Sequence, residues 1–201
     1  MEKQDLIYWT RRLYEKGLSP STSGNVSMLS DDNNILITAS GSAAGDIWMD
    51  DIVKMDFEGN LIEGVKNPSS EKLMHLEIYR KRKDLRAIIH SHSPEITAFA
   101  VAGLSISDTI MPEFAYYFGY VPLAKYAPPS SYELAKNVGE KFEEKNAVLM
   151  ENHGIAVGGK NLKEAFYLLE TIQSYCKTYL FGKILGKMQT LSKKDIEEIR
   201  K

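Results

Sequence analysis

Residues 85–92, LRAIIHSH, decide how this chain is read. Apolar, branched residues run directly into His90 and His92 with no turn residue between them, the pattern of a buried strand. In a strand the side chains at i and i+2 leave the same face, so these two imidazoles project together. The strand sits between two helical segments. PEITAFAVAG (94–103) follows it and opens on proline. PSSEKLMHLEIYRKR (68–82) precedes it, with a helix start expected near Ser69 and Ser70 and cations at its end.

Working outward, DLIYWTRRLYEKG (5–17) carries Leu6, Trp9 and Leu13 on one helical face and a stop at Gly17. NVSML (25–29), NILIT (34–38) and DIVKMDF (51–57) read as short strands, and EGN (58–60) turns the last of them into LIEG (61–64). YVPLAKY (120–126) reads as a strand and SSYELAKNVGEKFEEK (130–145) as a helix. NAVLMENHGIAVGG (146–159) reads as two strands around a turn, and NLKEAFYLLETIQSYCKTYLFGK (161–183) as a long helix. Strands mix with helices throughout, and the early hairpin argues against a purely parallel sheet. The expected architecture is α/β: a single-domain sandwich over residues 1–201, with a central mixed or antiparallel sheet and helices on both faces.

Composition removes several classes of function. A net charge of −2 with scattered Lys and Arg offers no basic stripe for a phosphodiester backbone, so nucleic acid is not expected as a partner. No apolar run approaches the ~18 residues of a membrane span, and MEKQDLIYW lacks a signal-peptide core, so no membrane association is expected. The single cysteine, Cys176, has no partner for an internal disulfide and falls inside a helical segment. It reads as a packed thiol in a reducing, cytoplasmic protein.

His90 and His92 can be read in two ways: as a metal-binding edge, or as strand-end histidines bonded to backbone. A third imidazole is available at His153, which ends another apolar run just before Gly154. Three imidazoles leave a Zn²⁺ ion one open position, which catalytic sites need. The fourth histidine, His75, follows Glu71 by four residues on a helix and reads as structural. A cupin barrel also uses two histidines spaced by one residue. Here Glu95 follows His92 too closely, that motif's glycine framework is missing, and long helices at both ends do not suit a small barrel.

Three further segments place small hydroxyl or amide side chains beside a glycine or a helix start: STSGNVS (21–27), ITASGSAAG (37–45) and NPSSEK (67–72). Each suits an anion, because glycine lets a backbone N–H approach closely and Ser or Asn adds neutral donors. Each equally suits a turn or a helix cap. Glu71 is then either a first-turn dipole partner or a base beside a metal.

Taken in order, SGNVS, ITASG, PSSE, HSH and NHG before a long helix resemble the class II aldolase and ribulose-5-phosphate epimerase family. The likeness runs from about Gly17 to Gly182 and is nearest the family's L-fuculose-1-phosphate aldolase branch. It implies Zn²⁺, or another divalent ion, held by His90, His92 and His153. Glu71 is implied both as a ligand of the empty site and as the acid/base. A substrate phosphate is implied at Gly24, Asn25, Ser40, Gly41, Ser69 and Ser70, in a homotetramer with sites between subunits. The implied reaction is reversible cleavage of a ketose 1-phosphate into dihydroxyacetone phosphate and an aldehyde such as lactaldehyde. Same-fold alternatives are a 4-epimerase of ribulose 5-phosphate and a sugar-phosphate dehydratase. An alternative of another class is a metal-binding assembly protein with an idle site. Two departures from the family stand out. The tyrosine that a neighbouring subunit supplies falls here near Met111, with Tyr116 and Tyr117 as nearby substitutes, and the tail MQTLSKKDIEEIRK (188–201) carries no tyrosine.

Overall fold

A computed structural model describes residues 1–107 and 109–201. Its centre is β5 (Ala87–Ser91), which pairs antiparallel with β1 (Asn25–Leu29) on one side and with β8 (Gly154–Gly159) on the other. Beyond β1 lie β2 (Ile35–Thr38), β3 (Ile52–Met55) and the exposed edge β4 (Leu61–Glu63). Beyond β8 lie β7 (Ala147–Met150) and the two-residue β6 (Leu123–Ala124). The eight-stranded sheet is antiparallel throughout except for the β6–β7 pair, so it is mixed, as the sequence led us to expect.

Alternation along the strands divides the core. Ala87 and Ile89 of β5, Val26 of β1 and Ile155 and Val157 of β8 face one apolar layer. That layer is completed by α1 (Glu2–Glu15), α3 (Pro94–Val101), α4 (Pro112–Tyr117) and α6 (Leu162–Leu185). Ile88, Ala156 and Val148 face the other layer, built by α2 (Lys72–Lys81) and α5 (Tyr132–Phe142). Helices therefore cover both faces of one domain. In α1 the anticipated stripe is buried at Leu6, Trp9 and Leu13, and Gly17 takes a positive φ of 69° just past the helix end. Asn161 and Ser131 cap α6 and α5 by accepting the backbone N–H groups of Glu164 and Leu134.

The boundaries differ from expectation in three informative places. The helix expected near Ser69 and Ser70 begins at Lys72, because Ser69 makes a turn in which its Oγ accepts the Glu71 N–H and its carbonyl accepts the Lys72 N–H. α4 and a terminal helix α7 (Lys193–Ile199) were not anticipated. Each is only about two turns or less, too short for helical periodicity to stand out. YVPLAKY contributes only two residues of strand, because Pro122 carries no N–H for a ladder. Among the described residues no helix is long and apolar enough to cross a membrane.

Ile89 tests the layer assignment. It is fully buried between Val26 and Val157 and points away from the face that carries His90. Ile89→Ala should lower unfolding stability by ~2–5 kcal/mol in a urea titration while leaving metal content per folded chain unchanged. A variant as stable as the parent would contradict this packing.

Candidate metal centre and anion pocket

The sheet register brings the candidate residues together. Asn25 sits opposite His90 across the β1–β5 pair, and Ser91 sits opposite Ile155 at the mouth of β8. His92 lies just past the end of β5. His153 occupies the turn that joins β7 to β8, after Asn152 at a positive φ of 54°. Gly154 is required there: a Cβ would lie 2.4 Å from the Ser91 carbonyl oxygen and 3.2 Å from the His92 ring. Gly24, at φ 79°, is required for a similar reason, since its Cβ would meet the His90 carbonyl oxygen at 2.6 Å. The glycines of SGN and NHG let the backbone close against β5.

Four ligand-type side chains converge as a result. The His90, His92 and His153 rings stand 4.6, 4.8 and 4.9 Å apart by centroid, each pair steeply inclined. His90 Nε2 is 3.0 Å from Glu71 Oε2 and 2.8 Å from His92 Nε2, and His153 Nε2 is 3.3 Å from Glu71 Oε1. One ligand atom from each residue lies within 4.8 Å of every other, and no comparable group occurs elsewhere among the described residues. For bonds of ~2.0–2.1 Å, a tetrahedral zinc site has ligand–ligand edges of about 3.3 Å, and the 2.8, 3.0 and 3.3 Å contacts are on that scale, while the widest separation, up to 4.8 Å, exceeds it.

The chemistry of the donors also fits a cation. His90 Nδ1 donates to the Ile155 carbonyl at 2.9 Å, which turns its Nε2 lone pair toward the cluster. Glu71 Oε1 is buried and makes no hydrogen bond. Burial, with His90 as a neighbour, holds His92 down to about 3, and burial holds His153 down to about 4. Both rings are thus in the neutral, ligating form at neutral pH. Burial pushes the Glu71 carboxyl up, but His90, then His153 and Asn25, outweigh it and hold the group well below the usual carboxylate range. His90 moves the opposite way: burial lowers it, and the adjacent Glu71 carboxylate raises it further. Metal binding releases such protons, since ligating imidazole is deprotonated.

Glu71, His92 and His153 of this cluster line a cavity of about 330 Å³, with His90 buried behind it. Gly24, Asn25, Ser40, Gly41, Ser69 and Ser70 line the same cavity, so all six residues expected at an anion site meet in one place. The Ser40 N–H is already bonded to the Asn67 carbonyl at 3.0 Å, which leaves its hydroxyl as the available donor. Asn25 joins the anion-site residues to the cluster, because it lines the cavity and its Nδ2 donates to Glu71 Oε2 at 3.0 Å.

Sequence reading missed two contributors. Ser130, at a positive φ of 66°, lines the cavity with Pro129; the sequence reading places it at the start of a helix over 130–145, which instead begins at Tyr132. Asp51 clamps the ITASG loop. Its backbone carbonyl accepts the Ala39 N–H, and its carboxylate accepts Ser42 Oγ at 2.9 Å, the Trp48 N–H at 2.8 Å and Lys66 Nζ at 2.7 Å. Burial pushes that carboxyl up, but Lys66 and the Trp48 and Ser42 bonds outweigh it and hold it below its usual range. Tyr116 and Tyr117 do not line the cavity. They lie on α4, exposed, with their rings in edge contact at 4.9 Å, and Met111 caps that helix. His75 is packed rather than solvated, as a structural histidine should be, and its partners are described below.

The family profile described as "Class II Aldolase and Adducin N-terminal domain" matches residues 4–180. This chain belongs to the class II aldolase family. Homologues in that family are metal-dependent aldolase lyases. The chain is 30% identical over 205 residues to the 5-deoxy-D-ribulose 1-phosphate aldolase of Bacillus thuringiensis serovar kurstaki, covering 100% of this chain and 94% of that one. It is 34% identical over 187 residues to the L-fuculose phosphate aldolase of Methanocaldococcus jannaschii, covering 93% and 100%. It is 31% identical over 202 residues to the 3-oxo-tetronate 4-phosphate decarboxylase of Haemophilus influenzae, covering 98% and 96%. A solved structure of an L-fuculose 1-phosphate aldolase superposes with a TM-score of 0.90 at 36% identity, over 98% of this chain and 93% of that one.

The cluster makes a direct demand on composition. Protein purified without added metal should carry about one equivalent of divalent metal per chain by elemental analysis, and His92→Ala should lose most of it. A His92→Ala protein that keeps its full metal content would remove His92 from the centre.

Proposed function

We propose that this class II aldolase is zinc-dependent and cleaves a ketose 1-phosphate, of the L-fuculose 1-phosphate type, reversibly into dihydroxyacetone phosphate and a short aldehyde such as lactaldehyde. One observation carries the reading: a single small cavity is lined both by neutral hydroxyl and amide donors and by Glu71, His92 and His153 of the four-residue cluster that His90 completes. Neutral donors beside glycine suit a phosphate dianion, and the carboxylate suits proton movement at the other end of the same molecule.

In this reading His90, His92 and His153, with Glu71 before substrate enters, hold the ion, which when bound supplies Lewis acidity at the substrate carbonyl. The chain's own residues do the rest. Asn25 and the hydroxyls of Ser40 and Ser70 hold the phosphate and fix the distance from it to the carbonyl. When the C3–C4 bond breaks, its electron pair stays on C3, and the C4 hydroxyl oxygen becomes the aldehyde oxygen after losing its proton. Glu71, having taken up a proton from solvent once substrate takes its place in the cluster, delivers that proton to C3, completing dihydroxyacetone phosphate, and a positioned acid/base of this kind contributes typically ~10²–10⁴ in rate. Neither Tyr116 nor Tyr117 is placed to take the C4 hydroxyl proton within one chain. We therefore assign that proton to a group brought by a neighbouring copy in a homotetramer, within the reducing cytoplasm that suits the buried Cys176 thiol.

The Haemophilus relative favours a second reading by its name. Loss of CO₂ from a 3-oxo acid phosphate leaves its electron pair on a carbon beside a carbonyl, as aldol cleavage does, so this site could serve either reaction. A panel of ketose 1-phosphates and 3-oxo acid phosphates separates them. Release of dihydroxyacetone phosphate from a ketose 1-phosphate is expected, and CO₂ release alone would move the assignment to decarboxylation. Ser70 tests the phosphate site, because the adjacent turn is made by Ser69 rather than Ser70. Hydrogen bonds to charged groups are worth ~1.5–3 kcal/mol, so Ser70→Ala should weaken a phosphorylated substrate by ~10- to 150-fold. An unphosphorylated analogue should be affected far less, and equal losses would exclude a phosphate at Ser70. The same preparation should sediment as a closed oligomer, whereas a stable active monomer would discard the intersubunit site.

A further inference from the structure

Behind Glu71, on the face of the sheet that meets α2, lies an unbroken chain of buried polar groups. Asn25 and Ser27 alternate out of β1 toward that helix, and His75 and Tyr79, four residues apart, meet them from α2. The Tyr79 hydroxyl is 2.9 Å from Ser27 Oγ, and Ser27 Oγ is 2.7 Å from His75 Nδ1. His75 Nε2 is bonded to Asn25 Oδ1, and Asn25 Nδ2 donates to Glu71 Oε2 at 3.0 Å. His75 and Ser27 are wholly buried, and Tyr79 is 1% exposed.

The donors in this chain can be assigned from its end. The Glu71 carboxylate only accepts, so Asn25 must turn its nitrogen toward it and its oxygen toward His75. That oxygen needs a donor, so the proton of His75 sits on Nε2. Burial, with His90 nearby, holds His75 down to about 3, so the ring is neutral and Nδ1 is an acceptor. Ser27 therefore donates to Nδ1 and accepts from Tyr79. Every donor points toward Glu71, and with a neutral ring no alternative assignment satisfies all the groups.

We propose that His75, held in its Nε2–H form by Ser27, is a positioning residue that locks the Asn25 amide with its nitrogen toward Glu71, and so fixes the carboxylate that faces the histidine cluster. This rests on the reading of Glu71 as metal neighbour and acid/base. A flipped Asn25 would set its oxygen against the carboxylate and its NH₂ against the His75 N–H, breaking both contacts at once. His75 and Tyr79 thereby acquire a purpose that a core histidine and tyrosine would not need. The chain couples the first turns of α2 to Asn25, which lines the cavity and contacts Glu71.

The test has one arm that needs neither metal nor turnover. In metal-free protein labelled with ¹⁵N-histidine, His75 should show a protonated Nε2 and an unprotonated Nδ1. A proton on Nδ1, or a doubly protonated ring at neutral pH, overturns the proposal even if the chain proves to be an aldolase. The second arm measures Zn²⁺ affinity by competition with a chelator. Loss of a residue that orients a ligand typically weakens metal binding ~10- to 100-fold, so His75→Phe should fall in that range. His75→Gln, which keeps an N–H directed at Asn25, should recover most of it. Equal losses in the Phe and Gln variants, or Zn²⁺ binding unchanged in the Phe variant despite lower stability, would reduce His75 to packing. Should the Phe variant not fold, Ser27→Ala with the same ¹⁵N reading decides, since it removes only the donor that fixes the ring. A wild-type protein that binds no Zn²⁺ but shows the Nε2–H form would leave the relay standing and sink the metal reading instead.

Discussion

Glu71 carries a charge at 8% exposure, and a buried carboxylate is costly unless charges and donors meet it from close range. Here they come from three strands' worth of sequence: His90 on the central strand, His153 in the turn before its neighbour and Asn25 on its other neighbour. The sheet must run in the order β1–β5–β8 for those three to surround one carboxylate, and Gly24 and Gly154 must lack side chains for the strands to close. Both apolar layers and the long helix α6 hold that arrangement in register. The chemistry of the site follows from neutralising this one charge.

Much of this was legible in the chain. LRAIIHSH announced the central strand because its apolar run is continuous, and the long helices announced themselves through their stripes and caps. The histidine triplet was legible as three residues at strand ends, although the step from three histidines to one centre rested on the family resemblance until the register placed them together. What was not legible depends on tertiary contact. Asp51 carries no local signal, since its role is to bridge residues 39, 42, 48 and 66, which only the fold brings near one another. His75 could be recognised as structural from its helical position, but the partners of a helix residue lie on whichever strand it packs against, here Asn25 and Ser27. The serine turn before α2 looked like a cap because the residue types are the same, and only its hydrogen bonds distinguish the two.

The relatives' names divide between aldol cleavage and decarboxylation, and under the proposed function one site suits both. Each reaction leaves an electron pair on a carbon beside a carbonyl, anchored through a phosphate at a fixed distance. In the proposed reading, the hydroxyl and amide donors of the cavity and the Glu71–histidine cluster serve those shared features. What leaves, an aldehyde or CO₂, depends in this reading on groups beyond these, and neither Tyr116 nor Tyr117 lines the cavity.

The central claim, that Glu71 moves a proton at a carbon activated within this cavity, is tested most directly by following dihydroxyacetone phosphate in D₂O by NMR with no aldehyde present. The account predicts that the wild-type enzyme replaces one hydrogen of the hydroxymethyl carbon with deuterium. It further predicts that Glu71→Gln slows this exchange by ~10²-fold or more, in step with cleavage, while most of the metal stays bound. Wild-type protein that carries its metal yet exchanges no hydrogen, or a Gln variant that exchanges as fast as wild type, would contradict it.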